Sequence, residues 1–239
     1  MTDLKGKRAL ITGASRGIGR EISTALAALG CNLVLHSRSV ENTATLAQTL
    51  KGAGVEVLSV EAELSNREAI DTMIDGLPQI DVLYNNAAIQ AGFFQDPWTA
   101  PDDAYLRAFQ VNSVALFHVC RRLVPGMIER GFGRVINVTS GVRDQPPLAP
   151  YAVSKAAVDK YTKDFANSLE GTGVQMNLLD PGWLRTDMGG PQAPGDVTSV
   201  LPGALVPALM DDGVSGRWFS AQDYVGMSLQ EAVDEGFGS

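Results

Sequence analysis

Two histidines and two cysteines in 239 residues leave little from which to build a metal centre. A structural zinc site takes four such ligands and a catalytic one three. Neither His36 nor His118 has a cysteine or carboxylate pattern around it, so no metal is expected. A serine–histidine triad would have to use one of the same two residues, again without a partner in sight. Cys31 and Cys120 are too few for a disulfide framework, and each lies in an apolar run, where a buried free thiol is expected. Basic side chains are outnumbered 19 to 27, for a net charge of −8, and no Lys or Arg run offsets this locally. A phosphate-backbone partner would be repelled, which excludes nucleic acid. No segment approaches the ~18 uninterrupted apolar residues of a membrane span, and the start, Met1 to Arg8, has no apolar secretory stretch. A cytoplasmic protein with no membrane partner is expected. There is also no internal repeat and no low-complexity linker.

What is present is 45 % hydrophobic residues, enough for one α/β domain over residues 1–239. Short apolar runs recur at Arg8 to Thr12, Asn32 to Leu35, Val55 to Val60, Val82 to Tyr84, Arg134 to Thr139, Val174 to Leu179 and Gly216 to Phe219. Several are apolar at successive positions, the pattern of strands covered on both faces. The stretches between them have helical spacing. Gly19 to Leu29 puts Ile22, Leu26 and Leu29 on one face; Asp102 to Arg130 is long, with Leu106, Phe109, Val114, Phe117 and Leu123 as expected core contacts. The fold class is α/β, a doubly wound, mostly parallel, seven-stranded sheet with helices on both faces. The Gly- and Pro-rich stretch 182–213 is expected to be a mobile substrate-side flap, since Pro202 and Pro207 interrupt any helix there.

Thr12-Gly13-Ala14-Ser15-Arg16-Gly17-Ile18-Gly19 follows the first strand and opens a helix. Gly13 allows the sharp turn, Gly17 lets a pyrophosphate reach the backbone, and Gly19 lets helix and strand pack closely. No lysine follows Gly19, which argues against nucleoside-triphosphate chemistry. At the end of the second strand, His36-Ser37-Arg38, no acid is present to bind a ribose 2′-hydroxyl. Ser37 can hydrogen-bond a 2′-phosphate and Arg38 can pair with it, with Arg16 as a second cation, so NADP(H) is expected over NAD.

Of five tyrosines only Tyr151 has a lysine four residues on, Lys155; the others have Ala88, Phe109, Phe165 and Ser228 there. One helical turn apart, the ammonium can stand beside the phenolate and make tyrosine, ordinarily near pKa 10, a usable acid. Ser140 lies just upstream and Asn112 further back.

Together these residues resemble the short-chain dehydrogenase/reductase family, over the chain to about Thr186. The carriers are Thr12 to Gly19, Asn85-Asn86-Ala87-Ala88, Asn112, Ser140, Tyr151-Ala-Val-Ser-Lys155, Pro181-Gly182 and Thr186. The resemblance implies a Rossmann fold and a hydride transfer between NADP(H) and a ketone or secondary alcohol. It implies that Asn86 and Ala87 line the adenosine side, with Glu63 and Leu64 near the adenine, that Leu184 and Thr186 hold the nicotinamide amide beyond Pro181 and Gly182, and that Lys155 contacts the nicotinamide ribose. Tyr151 would then donate the proton, its pKa lowered by Lys155 and by the nicotinamide's positive charge in the oxidised state, while Ser140 bonds the developing alkoxide and Asn112 holds a water linking Lys155 to solvent.

The sequence departs from the family pattern at four places. Ala88 replaces a glycine, Glu63 an aspartate, Ser140 precedes Tyr151 by eleven positions instead of thirteen, with Thr139 as a substitute hydroxyl, and the C-terminal part matches poorly. A non-catalytic NADP-binding regulatory protein is the alternative, disfavoured by the complete catalytic set; a nucleotide-sugar epimerase would need a substrate domain for which there is no room. Gln90, Phe93, Phe94, Trp98, Val142, Gln145, Trp183 and Met188 are candidate pocket walls and suggest a small, partly hydrophobic substrate. Relatives pair through the helices near Asp102 and Pro150, which implies a homodimer or homotetramer.

Overall fold

In a computed structural model describing residues 1–238, seven parallel strands form one sheet in the order β3-β2-β1-β4-β5-β6-β7. They are β1 Arg8–Thr12, β2 Asn32–Ser37, β3 Val57–Glu61, β4 Val82–Asn85, β5 Gly133–Val138, β6 Val174–Asp180 and β7 Trp218–Ser220. Parallel neighbours need crossovers, and these carry α1 Gly17–Ala28, α2 Glu41–Lys51, α3 Arg67–Asp75, α4 Asp102–Phe109, α5 Ala115–Glu129, α6 Ala149–Ala166 and α7 Val206–Leu209; α8 Leu229–Gly236 follows the last strand. Successive residues of the central strands feed opposite cores. Ala9 and Ile11 pack with Ile22 and Leu26 of α1, whereas Leu10 packs with Leu116 and Val119 of α5 and Val158 of α6. That explains the unbroken apolar runs. Chain order reverses between β1 and β4, so the crevice for a ligand opens at the C-terminal end of β1. Among the described residues no helix is long and apolar enough to cross a membrane.

The long helix expected from Asp102 is present, interrupted by one π turn at Gln110–Val114. Of the expected core contacts Phe117 and Leu123 pack against the core, while others turn outward. Leu106 is 66 % and Val114 45 % exposed, and the inward positions are Ala104, Ala108, Asn112 and Ser113. Small residues face inward because α4 packs against α6, and the close approach leaves no room for leucine. The expected flap over 182–213 is also corrected. Its second half, Val200 to Met210, sits in the α1-side core with Ala204, Val206 and Ala208 fully buried. The prolines prevent a long helix, yet 3₁₀ turns and α7 still bury the apolar side chains. Only 182–196 remains as a surface-facing cover.

Candidate active site

The glycine turn is tied down by side chains from three strand ends. The Thr12 hydroxyl accepts the N–H groups of Asn86 and Ala87, each at 3.0 Å. The Asn86 amide in turn donates to the carbonyls of Thr12 at 2.9 Å and Gly13 at 3.3 Å. From β2, His36 Nδ1 accepts the Gly13 N–H at 3.3 Å, while Nε2 lies 3.1 Å from the Ala62 carbonyl and donates to it. Both bonds require the neutral ring, and burial holds the imidazole below its ordinary value, against the Ala62 bond and the Glu63 charge. Gly13 has φ +68°, and a Cβ on Gly19 would fall 2.3 Å from the Gly13 carbonyl.

Arg16 occupies the N-cap of α1 without capping it, its guanidinium instead pairing with Asp187 at 2.9 Å; no acid sits in the first turn. The first N–H groups of α1 are thus left for an anion, which fits the pyrophosphate of a dinucleotide held along Gly13, Ser15, Arg16, Gly17, Ile18 and Gly19. At the second strand the donors are unequal. Ser37 is buried and its only proton goes to the Ser39 carbonyl at 2.5 Å, whereas Arg38 is exposed and makes no ion pair among the described residues. Of the two, Arg38 is the one with donors left for an anion. Glu63 is exposed at the rim, its carboxylate accepting the N–H and hydroxyl of Ser65, both at 3.1 Å; Leu64 is buried beneath.

The four candidate catalytic residues meet at the C-terminal end of β5. Lys155 is 2 % exposed, donates from Nζ to the Val138 carbonyl at 2.7 Å, and lies 5.9 Å from the Tyr151 ring centre. Burial brings its pKa down to about 8, partly opposed by Asp159. For Tyr151 the expectation of a lowered pKa is not met in the protein alone. Burial raises it, the hydrogen bond with Ser140 pulls it down, and Asp180 adds to the rise. The ammonium is spent on Val138, so desolvation wins and the phenol holds its proton. Thr139 is buried and donates to the Asp159 carboxylate, which leaves Ser140 as the hydroxyl at the site.

Asn112, in the π turn, accepts the Ile89 N–H at 2.8 Å and donates to the Ile89 carbonyl and to Ser154 Oγ, both at 2.9 Å. Ser154 Oγ donates to the Tyr151 carbonyl at 2.7 Å. Both amide hydrogens are thus used to tie the loop after β4 to the helix turn that carries Tyr151. The shortened loop before Tyr151 is braced by the Phe94 N–H on the Pro147 carbonyl at 3.0 Å.

From β6, the Gly182 N–H bonds Asp180 at 3.0 Å and the Pro181 carbonyl accepts from Gln222 at 2.9 Å. The Leu184 side chain is buried in the core. The Thr186 hydroxyl accepts the Gly189 N–H at 3.0 Å, and its methyl lies over Gly17. Together with the Arg16–Asp187 pair this loop closes the glycine turn from above. Sequence reasoning gave no site role to His36, Ser154, Asp159 or Asp180. Ser154 and Asp159 had a usable signal in their helical spacing from Tyr151 and Lys155.

A family model described as short chain dehydrogenase matches residues 7–196. The chain belongs to the short-chain dehydrogenase family. It is an oxidoreductase of that family on a nucleotide-binding Rossmann fold. Among its relatives, a gluconate 5-dehydrogenase of Gluconobacter oxydans (strain 621H) is 31 % identical over 235 residues, covering 95 % of this chain and 87 % of the relative. A solved structure of a blue fluorescent protein from a metagenomic library, in complex with NADPH, is 28 % identical with a TM-score of 0.80, covering 92 % of this chain and 97 % of that one. An NAD+-bound xylitol dehydrogenase is 25 % identical, also with a TM-score of 0.80, over 92 % and 98 %.

Proposed function

We propose that this chain moves a hydride between NADP(H) and the carbonyl or secondary alcohol carbon of a small, partly hydrophobic substrate. The observation that carries the reading is the Tyr151 phenol beside the Ser140 hydroxyl, with the buried Lys155 one turn behind. When bound, the nicotinamide supplies or accepts the hydride. As negative charge grows on the substrate oxygen, Tyr151 gives its proton to that oxygen and Ser140 donates a hydrogen bond to it. The protonated phenol favoured by burial is the form that reduction needs. In the reverse direction the Lys155 charge lowers the cost of the phenolate. Asn112 supports the proton path by fixing the helix turn under Tyr151.

The glycine turn would hold the pyrophosphate, Asn86, Ala87, Glu63 and Leu64 the adenosine, and Lys155, Tyr151, Pro181, Gly182, Leu184 and Thr186 the nicotinamide side. Relatives with either cofactor exist, one NADPH-bound and one NAD+-bound. Arg38, exposed and without an ion pair among the described residues, favours the 2′-phosphate, by roughly ten- to hundredfold in affinity. The substrate side is supported by the exposed aromatics at the rim, with Trp98 94 % exposed and Phe93 and Trp183 above half. A homodimer or tetramer is supported by the groove of Val114, Phe117, Ile128, Tyr161 and Phe165 along α5 and α6, where Phe117 stacks on Tyr161 and Phe165 lies tilted against it, both at 4.4 Å.

The test is Tyr151→Phe, assayed by NADPH absorbance against a panel of ketones, aldehydes and acyl thioesters. Turnover is expected to vanish while NADPH binds as before. A variant that still turned over would sink the catalytic reading, and tighter binding of NAD than of NADP would sink the cofactor assignment.

A further inference from the structure

Beyond Lys155, α6 continues with an acid and another lysine at the same four-residue step: Tyr151, Lys155, Asp159, Lys163. That step returns almost to the same face of a helix, so the four lie along one stripe running from the phenol to solvent. Lys155 is buried, Asp159 partly exposed and Lys163 exposed. The Asp159 carboxylate accepts the Thr139 hydroxyl. Thr139 sits between Val138, whose carbonyl takes the Lys155 ammonium at 2.7 Å, and Ser140. One acid is therefore fastened to the strand end that carries both of these partners.

No carboxylate among the described residues lies within 4.0 Å of Lys155 Nζ, so the ammonium has no direct counter-ion. Asp159 is the charged group acting on it. Asp159 also lines a solvent-open cavity of about 430 Å³ with Ser140, Gly141, Arg143, Lys163 and Trp218, which gives its charge an outlet that Lys155 lacks.

We propose that Asp159 is a positioning residue of this site: its carboxylate keeps Lys155 charged and, through Thr139, holds the end of β5 against α6. The inference rests on the reading of Tyr151 and Lys155 as the catalytic pair. The charged groups facing Asp159 are Lys155 and Lys163 on its own helix, Asp180 from the end of β6, and Arg143 from the loop after β5 on the shared cavity. Burial and Asp180 oppose its ionisation, and Thr139 and the two lysines favour it.

With six lysines in the chain, labelling at the lysine Cε carbon lets each be titrated by NMR, and Lys155→Met assigns the peak. Lys155 is expected to titrate near pH 8 in the native protein. In Asp159→Asn the midpoint falls by about half a unit or more, because the ammonium loses its stabilising charge. In Asp159→Glu it stays in place. An unmoved or raised midpoint in Asp159→Asn overturns the proposal. Should that variant not fold, the native protein alone decides: its Lys155 signal must carry a second, smaller inflection in the acidic range, where Asp159 protonates, and the absence of that inflection overturns the proposal too. The titration needs no substrate, so retained turnover in Tyr151→Phe would defeat the catalytic reading while leaving this result standing.

Discussion

The glycine turn, at the C-terminal end of β1, and the segment from Gly182 to Gly213, which runs from that end of the sheet to the N-terminal ends of β5 and β6, are held by opposite means. The turn is held by polar contacts, from Thr12, His36 and Asn86 to its backbone, and carries little apolar side chain of its own. The segment buries Val200, Ala204, Leu205, Val206 and Ala208 and is anchored by a few backbone bonds, among them the Tyr84 hydroxyl on the Ala204 carbonyl at 2.9 Å and the Arg134 guanidinium on the Met210 carbonyl at 2.8 Å. A region fixed by hydrogen-bond geometry fails when an atom intrudes, and one fixed by burial fails when an atom is removed. The two should therefore respond to different substitutions.

The largest effect is expected in the segment. Leu205→Ala removes a side chain buried in the α1-side core and should cost about 2–5 kcal/mol of stability in denaturant unfolding. NADPH affinity should hardly change. A loss below about 0.5 kcal/mol, the range of surface changes, would restore the segment as a loose flap and erase the contrast.

Gly19→Ala should behave the other way round. The added methyl falls 2.3 Å from the Gly13 carbonyl, where backbone must move. A stability loss of about 1–3 kcal/mol is expected, with NADPH affinity down roughly ten- to hundredfold by fluorescence titration. Unchanged affinity in a folded Gly19→Ala protein would mean that the turn does not hold the cofactor.

How much of this was legible in the sequence follows the same division. β1 is read at its true ends, Arg8 to Thr12, and the centres of the others are right because strands buried on both faces give continuous apolar runs. The boundaries drift where burial is one-sided or short. The edge strand β3 starts at Val57 instead of Val55 and leaves Leu58 exposed, and β7 shrinks to Trp218–Ser220. Gly13 lies in the turn after β1 and Tyr151 and Lys155 lie one turn apart on α6, because their spacing encodes the turn and the helix that carry them. What spacing does not encode is a partner far along the chain. His36 looks like a stray histidine until Gly13, 23 residues back, and Ala62, 26 residues on, are placed on either side of it. Leu106 and Val114 were misread because apolar character alone does not tell an outward stripe from an inward one, and α4 turns its alanines inward.

His36 offers the smallest effect and the finest probe of the polar side. Its Nδ1 accepts from Gly13 and its Nε2 donates to Ala62, so only Nδ1 can gain a proton, and it does so by losing the bond to the turn. Burial depresses its pKa below the ordinary 6.5. The unfolded chain therefore binds the proton first as pH falls. The contribution of His36 is complete above about pH 6.5 and declines below it, with a limiting slope of about 1.4 kcal/mol per pH unit. His36→Gln keeps a donor and an acceptor but cannot titrate. The stability gap between the native protein and this variant, measured by denaturant unfolding from pH 7.5 to pH 5, should shrink steadily below about pH 6.5. A gap that stayed constant across that range would show that the imidazole is not the neutral link between the turn and β3, and that Thr12 and Asn86 alone hold it.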